Sequence, residues 1–501
     1  MKADEEVRPG ASRDALHSLP CSEMYEKSYL HRDHVTHIIV TSSDFVITGS
    51  KDGHVKFWKK SAQAGIEFVK TFRAHLAPII CMSASVDGSL LATTASDAAF
   101  KVFDVLAFDM ISWVKLDHSP GVCEWIDGDS GRAAARPLLA VADAEAPQLR
   151  LFDASGTLVR SVDVHSARVV LMKLNAAKDA MVSADERGVI EYWTTAAPHA
   201  PPKNVTFRYK TETDLYVLAK AKVALTSLAV SPNGEHFAIT AADFKVRLFQ
   251  YASGKCLRVL DESYEAMHHV QKEGGEAYRL EAFDFGRRMA VEREYRAAVA
   301  GGAAPASNAL FDASSRFLLY PSPVGIKMIS LASSKLARLL GKVENTERFV
   351  ALALFQGTPK VSASTIGSGA KASDVQEDPT LFCAAFKKSR FYLFSRREPE
   401  EPEAAGAAAG EAQGRDVFNE KPSMEEIALL QREAVGPLPR VAIITTTYGE
   451  VQLRLFPDEC PKTVENFATH AVRHARGADR GAGPGRGASR ATERGAAGRS
   501  G

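Results

Sequence analysis

One pattern returns five times between residues 45 and 249. An apolar strand runs into one or two small residues, an Asp and a short turn, then an alternating strand closed by an aromatic side chain. The first copy is Phe45-Val46-Ile47-Thr48-Gly49-Ser50-Lys51-Asp52-Gly53-His54-Val55-Lys56-Phe57-Trp58, and the second runs from Leu90 through Asp97 to Phe103. Looser copies run from Leu138 through Asp143 to Phe152 and from Ala180 through Asp185 to Trp193, and a fifth runs from Phe237 through Asp243 to Phe249. The closing aromatics stand 45, 49, 41 and 56 residues apart. One such unit cannot bury its apolar faces alone, and a period of about 40–45 residues is that of a four-stranded propeller blade. Two weaker blades follow. One is predicted from Leu280 to Phe285, Leu310-Phe311, Phe317 to Tyr320 and Ile326 to Leu331, with Leu336 to Leu340 as an outer strand. The other is predicted from Phe349 to Phe355, Leu381 to Phe386 and Arg390 to Phe394. The total is seven blades over residues 31–395, a ring that leaves no long open sheet edge.

These copies resemble WD repeats, strongly in the first and weakly in the third. The resemblance implies that each Asp sits in the turn between a blade's second and third strands and bonds a His just before the blade, through a Ser or Thr and the Trp. The residues this selects are Asp52, Asp97, Asp143, Asp185 and Asp243, with Ser50 and Trp58 in the first copy and Trp193 in the fourth. The His partners are His34 or His37 for Asp52, His75 for Asp97, His118 for Asp143 and His165 for Asp185. His beside Asp is also a catalytic pairing, but recurrence at repeat spacing favours a network that satisfies buried polar groups.

Composition excludes other classes. Hydrophobic residues are 45% and charged residues 25% of the 501, as in ordinary globular proteins rather than fibrous or disordered ones. A net charge of +1 argues against a polyanion binder, so direct nucleic-acid binding is not expected. The six cysteines form no C-x-x-C pair, so neither a zinc site nor a disulfide framework is signalled, and no metal or cofactor is expected. Residues 1–30 read as an N-terminal extension without the apolar core of a signal peptide, and no membrane association is expected.

After Arg397 the chain changes character. Residues 396–440 read as a linker, acidic and Ala/Gly-rich at first, with a short helix around Ile427, Leu429 and Leu430. Val441 to Thr447 and Val451 to Phe456 then read as two strands joined at Tyr448-Gly449-Glu450. Next comes Pro457-Asp458-Glu459-Cys460-Pro461-Lys462-Thr463-Val464-Glu465-Asn466-Phe467, in which Pro461 suits the first position of a helix. This hairpin and helix, over residues 441–470, resemble the opening of a cyclophilin domain, with Pro461, Lys462, Thr463, Glu465, Asn466 and Phe467 as its signature. With the repeats upstream, residues 22–470 resemble the WD-repeat cyclophilins. The fold class expected is therefore mainly β: a seven-bladed WD-repeat propeller, a linker and an incomplete cyclophilin-like fragment.

The resemblance implies a nuclear, spliceosome-associated peptidyl-prolyl isomerase, with spliceosomal proteins or peptides as partners on the propeller surface. Such an enzyme uses no cofactor. It holds a twisted X-Pro bond in an apolar pocket, and an Arg from a Phe-His-Arg motif stabilises that state electrostatically. No Phe-His-Arg follows Phe467 here. Residues 471–501 hold eight Ala, eight Gly and seven Arg instead. Out-of-frame translation of GC-rich sequence, a genuine truncated form, and an Arg-Gly tail that attracts RNA electrostatically are the readings of that tail. The expectation is a chain with no catalytic residues, inactive as an isomerase unless the domain is completed. Its alternative role is that of a non-enzymatic scaffold in nuclear RNA processing.

Overall fold

The structure, a computed structural model, describes residues 16–60, 65–126, 137–274, 278–344, 346–357, 377–398, 438–446, 449–460, 463–464 and 467–468. The chain divides into two compact units, residues 1–420 and 421–501. The first is a seven-bladed β-propeller of antiparallel sheets, each running from inner to outer strand.

Blade 1 comprises β2 (Val35–Val40), β3 (Phe45–Ser50), β4 (His54–Lys60) and β5 (Ile66–Arg73). Blade 2 comprises β6 (Ile79–Ala84), β7 (Leu90–Ala95), β8 (Ala99–Asp104) and β9 (Asp109–Lys115). Blade 3 comprises β10 (Pro120–Ile126), β11 (Leu138–Asp143), β12 (Leu149–Asp153) and β13 (Leu158–Val162). Blade 4 has three strands, β14 (Val169–Asn175), β15 (Ala180–Asp185) and β16 (Ile190–Thr194). The short helix α1 (Val217–Ala221) follows it. Blade 5 comprises β17 (Leu225–Val230), β18 (His236–Ala241), β19 (Lys245–Gln250) and β20 (Lys255–Asp261). Blade 6 comprises β21 (Leu310–Phe311), β22 (Phe317–Ser322), β23 (Gly325–Ser330) and β24 (Leu336–Leu340). Blade 7 takes β25 (Phe349–Phe355), β26 (Thr380–Ala385) and β27 (Arg390–Phe394) from the end of the ring, and its outer strand β1 (Lys27–Leu30) from the beginning.

That last pairing corrects the expected boundary at residue 31. Tyr29 lies opposite Phe391 in the ladder, so residues 27–30 are part of the ring. Upstream, Leu16 and Leu19 are buried among blade 6 and blade 7 side chains, and Arg338 donates to the carbonyls of Leu16, Leu19 and Pro20. Arg397 pairs with both Glu26 and Asp378, and Asp378 also takes the buried ammonium of Lys60 at 2.5 Å. Ions thus tie blade 1 to both ends of blade 7.

The core is divided among the seams between blades. Successive side chains on a strand point to opposite faces, so the closing pair of a repeat serves two seams at once. Trp58 packs towards blade 7 with Phe382 and Phe391, while Phe57 packs towards blade 2 with Leu91 and Phe103. Trp193 likewise packs against blade 3 and Tyr192 against blade 5. Clusters of the same kind join blades 2 and 3, 5 and 6, and 6 and 7, so every seam of the ring has its own apolar core.

A second correction concerns blade 6. Leu280–Phe285 is not a strand: α3 runs from Ala282 to Ala300, preceded by α2 (Tyr264–Glu273). This insertion is held on the ring by buried ions. Glu292, fully buried, accepts from Arg296 at 2.8 Å and Arg348 at 2.5 Å, and Arg296 also lies over the rings of Phe244 and Tyr264. Beside it Glu262 takes Lys327 at 2.6 Å and the Tyr320 hydroxyl at 2.9 Å.

In the second unit, β28 (Val441–Thr446) pairs antiparallel with β29 (Gly449–Arg454), and the described residues of 463–468 are helical.

Candidate functional site

Inner strands of blades 1 to 6 wall a central channel of about 590 Å³. Its wall is largely apolar, from Ile38 and Val40 through Met82 to Leu228, with one charged group of side chains across blades 2, 3 and 4. Glu124, itself buried, accepts from Ser83 at 2.9 Å and pairs with Lys173 at 2.8 Å. Burial works against the Lys173 ammonium, but Glu124 raises its pKa above the ordinary lysine value. The channel thus carries one ion pair, Lys173 on Glu124, in a largely apolar wall. Sequence reasoning missed both residues, because they lie 49 positions apart on the inner strands of different blades. The only local signal was a charge within an otherwise apolar β10.

The residues selected from the repeat pattern fall into three arrangements. In blade 4 they converge: His165 bonds the Ser183 hydroxyl at 2.8 Å, Trp193 donates to the same hydroxyl at 3.1 Å, and Asp185 lies 3.6 Å from the other His165 nitrogen. In blade 2, His75 bonds Asp97 at 3.0 Å through one nitrogen and the Thr93 hydroxyl at 2.8 Å through the other. Phe103 holds the position of the indole and adds only packing.

Blade 1 differs from the expected pairing. Trp58 donates to Thr48 at 2.8 Å, not to Ser50, and the histidine on that hydroxyl is His31 at 2.6 Å, not His34 or His37. Ser50 donates to Asp52 at 2.5 Å, and Asp52 pairs with His54 at 2.8 Å. Register explains the choice. Trp58 lies opposite Val46, Phe103 opposite Leu91 and Trp193 opposite Met181, and in each blade the bridging hydroxyl (Thr48, Thr93, Ser183) stands two residues further on. That diagonal was available from the hairpin spacing.

Blades 3 and 5 have no such bridge. In blade 3 the corresponding residue is Val141, two beyond Leu139, which lies opposite Phe152. Asp143 turns to the backbone N–H groups of Glu145 and Ala146 and to Arg150 at 3.2 Å, while His118 bonds Asp117. In blade 5 an arginine replaces the histidine, and Asp243 is held by both terminal nitrogens of Arg247.

The linking histidines are neutral. Burial, reinforced by Lys56, lowers the pKa of His31 to about 3, and burial also lowers those of His75 and His165 despite their carboxylate neighbours. A neutral imidazole both donates and accepts, as His75 does between Asp97 and Thr93. Such a ring is committed to the fold, not poised for proton transfer.

Among the described residues no group of three His, Cys, Asp or Glu side chains is placed to hold a metal, and no helix is long and apolar enough to cross a membrane. Of the signature residues, Thr463 and Phe467 are helical, whereas Pro461, Lys462, Glu465 and Asn466 lie outside the described residues, as do nearly all of the 396–440 linker and the 471–501 tail.

Seven seam cores and a His–hydroxyl–Trp bridge recurring at one register define a WD-repeat propeller, an architecture of protein–protein interaction. The WD domain, G-beta repeat family matches residues 26–59 and 66–104, which include the closing strand β1. The chain is 44% identical over 468 residues to the Arabidopsis thaliana peptidyl-prolyl cis-trans isomerase CYP71, across 91% of this chain and 72% of that one. It is 43% identical to the human peptidylprolyl isomerase domain and WD repeat-containing protein 1 across 91% of this chain and 70% of the relative. It is also 43% identical to the Rhizopus delemar isomerase cyp15, across 91% and 72%. The chain belongs to this family of WD-repeat peptidyl-prolyl isomerase proteins.

Proposed function

We propose that this chain acts through its propeller as a docking scaffold for protein partners in nuclear RNA-processing assemblies, spliceosomal proteins among them, and that as a 501-residue chain it does not accelerate prolyl isomerisation. The observation that carries the reading is the closed ring with its walled channel and an apolar core on every seam. Family membership supplies the setting. The absence of a Phe-His-Arg triplet from the sequence supports the statement about catalysis. The hydroxyl bridges belong to this function indirectly: they hold neighbouring blades in register, so that residues from several blades present one surface. On this reading Pro461, Lys462, Thr463, Glu465, Asn466 and Phe467 are a cyclophilin signature without a catalytic partner.

Two measurements test the proposal. Isomerisation of an Ala-Pro peptide, followed with a conformation-selective protease, is expected at the uncatalysed rate, with exchange over tens to hundreds of seconds. Acceleration by the purified chain would refute the inactive reading. Retention of splicing proteins from nuclear extract is expected to persist when residues 398–501 are removed, and its loss would refute the scaffold reading.

A further inference from the structure

Two of the six cysteines meet in the channel wall. Cys81 on β6 and Cys123 on β10 line the channel from neighbouring blades, and Cys81 packs against the apolar cluster that contains Cys123. The Cys81 thiol donates to the Cys123 carbonyl at 3.4 Å, and both side chains face the seam between blades 2 and 3. Their exposures differ: Cys123 is 1% exposed, whereas Cys81 is partly open to the channel. Glu124 and Lys173 stand in the same wall, and their charges act on Cys81 in opposite directions, Glu124 against a thiolate and Lys173, more weakly, for it.

We propose that Cys81 and Cys123 form a redox-active dithiol that reacts with hydrogen peroxide entering the channel, Cys81 as the attacking thiol and Cys123 as the resolving one. The Cys81 thiolate attacks one peroxide oxygen: an S–O bond forms, the O–O bond breaks, and the departing oxygen leaves as water with the proton Cys81 gave up. The Cys123 sulfur then attacks the Cys81 sulfenic acid. An S–S bond forms, the S–O bond breaks, and a second water leaves with the Cys123 proton. Two thiols are oxidised by two electrons, and one peroxide is reduced to two waters. The division of roles follows from the surroundings. The hydrogen bond from Cys123 holds the Cys81 thiol below its ordinary range, whereas that same bond and burial push Cys123 well up. A thiol must be accessible to meet an oxidant, as Cys81 is and Cys123 is not, and a resolving thiol alongside diverts the sulfenic acid to a disulfide. The product would staple the inner strand of blade 2 to that of blade 3.

The test uses the full-length reduced chain exposed to hydrogen peroxide under native conditions, then alkylated, digested without reduction and mapped by mass spectrometry. The expected product is a Cys81–Cys123 peptide pair lighter by two hydrogens, about 2 Da, and restored by dithiothreitol. With Cys123→Ser, a Cys81 sulfenic acid trapped by dimedone is expected in its place. Recovery of both residues as free thiols when the exposed Cys21 and Cys460 have been oxidised would overturn the proposal. So would oxidation of Cys123 in Cys81→Ser at the wild-type rate.

Discussion

Replacing Thr48 by Val changes the shape of a fully buried side chain very little and removes one oxygen. That oxygen serves both Trp58 and His31, at 2.8 and 2.6 Å. Without it two buried polar nitrogens lose their bridging partner, and each such loss costs about 1–3 kcal/mol. The expected destabilisation is about 2–4 kcal/mol, where hydrophobic transfer alone would make the change neutral or favourable. Thr48→Ser keeps the oxygen and loses a methyl group, at about 1 kcal/mol. Ser50→Ala removes a hydroxyl that reaches Asp52 and the His54 carbonyl, and because Asp52 keeps His54 as a partner the change is expected to cost less than about 1 kcal/mol. From most to least damaging the order is thus Thr48→Val, Thr48→Ser, Ser50→Ala, and at position 48 it runs opposite to apolar character. Urea unfolding followed by tryptophan fluorescence reads it, with the midpoints compared because a ring of this size need not unfold in two states. A Thr48→Val midpoint at or above that of Thr48→Ser would refute the bridge as a source of stability. Equal losses in Thr48→Val and Ser50→Ala would refute the register argument.

Acidification provides a second check: His31 has a folded pKa near 3 against an ordinary value of 6.5, so the unfolded chain takes up a proton that the fold refuses. Stability is fully present above pH 6.5 and falls by about 1.36 kcal/mol per unit below it; His31→Gln is expected to flatten that slope in pH-dependent urea titrations. Glu292→Gln leaves the buried Arg348 and Arg296 without their shared counter-ion and is expected to cost about 3–5 kcal/mol in thermal unfolding. Because Arg348 and Arg296 pull the Glu292 pKa below its ordinary value although burial raises it, the contribution of this pair is expected to be present above about pH 4.5 and lost below. Deleting residues 1–30 removes β1 and exposes the Phe391 face of blade 7, so light scattering is expected to show aggregation where the full chain is monodisperse.

The ring was readable because its seams impose a pattern on neighbouring residues. Each closing pair must supply two large side chains to opposite faces, and Phe57-Trp58 and Tyr192-Trp193 announce this in two letters. Features set by long-range partners were not readable. Lys27–Leu30 is four residues with no turn signal, and its partner lies at least 360 positions away. Leu280–Phe285 alternates like a strand over six residues, too short a window to separate from the first turns of a helix. The helix is decided by Arg288, Glu292 and Tyr295, which bury on the ring. Among site residues, the repeat resemblance selected Ser50, whereas the diagonal across the hairpin selects Thr48. Glu124 and Lys173 became neighbours only through the curvature of the ring.

The strand that closes the ring also imposes an order on biosynthesis. Residues 27–30 leave the ribosome early, and their partners at 390–393 follow after some 360 further peptide bonds. At about 5–20 residues per second the delay is roughly 20–70 s. Throughout it, blade 1 has a free flank and the Tyr29–Trp58 face waits uncovered beside a growing row of finished blades. Blades 1 to 6 can stack as they emerge, but none can be locked until the last hairpin arrives. Translation therefore yields an open crescent first, and the nascent chain depends on whatever shields that edge during the wait.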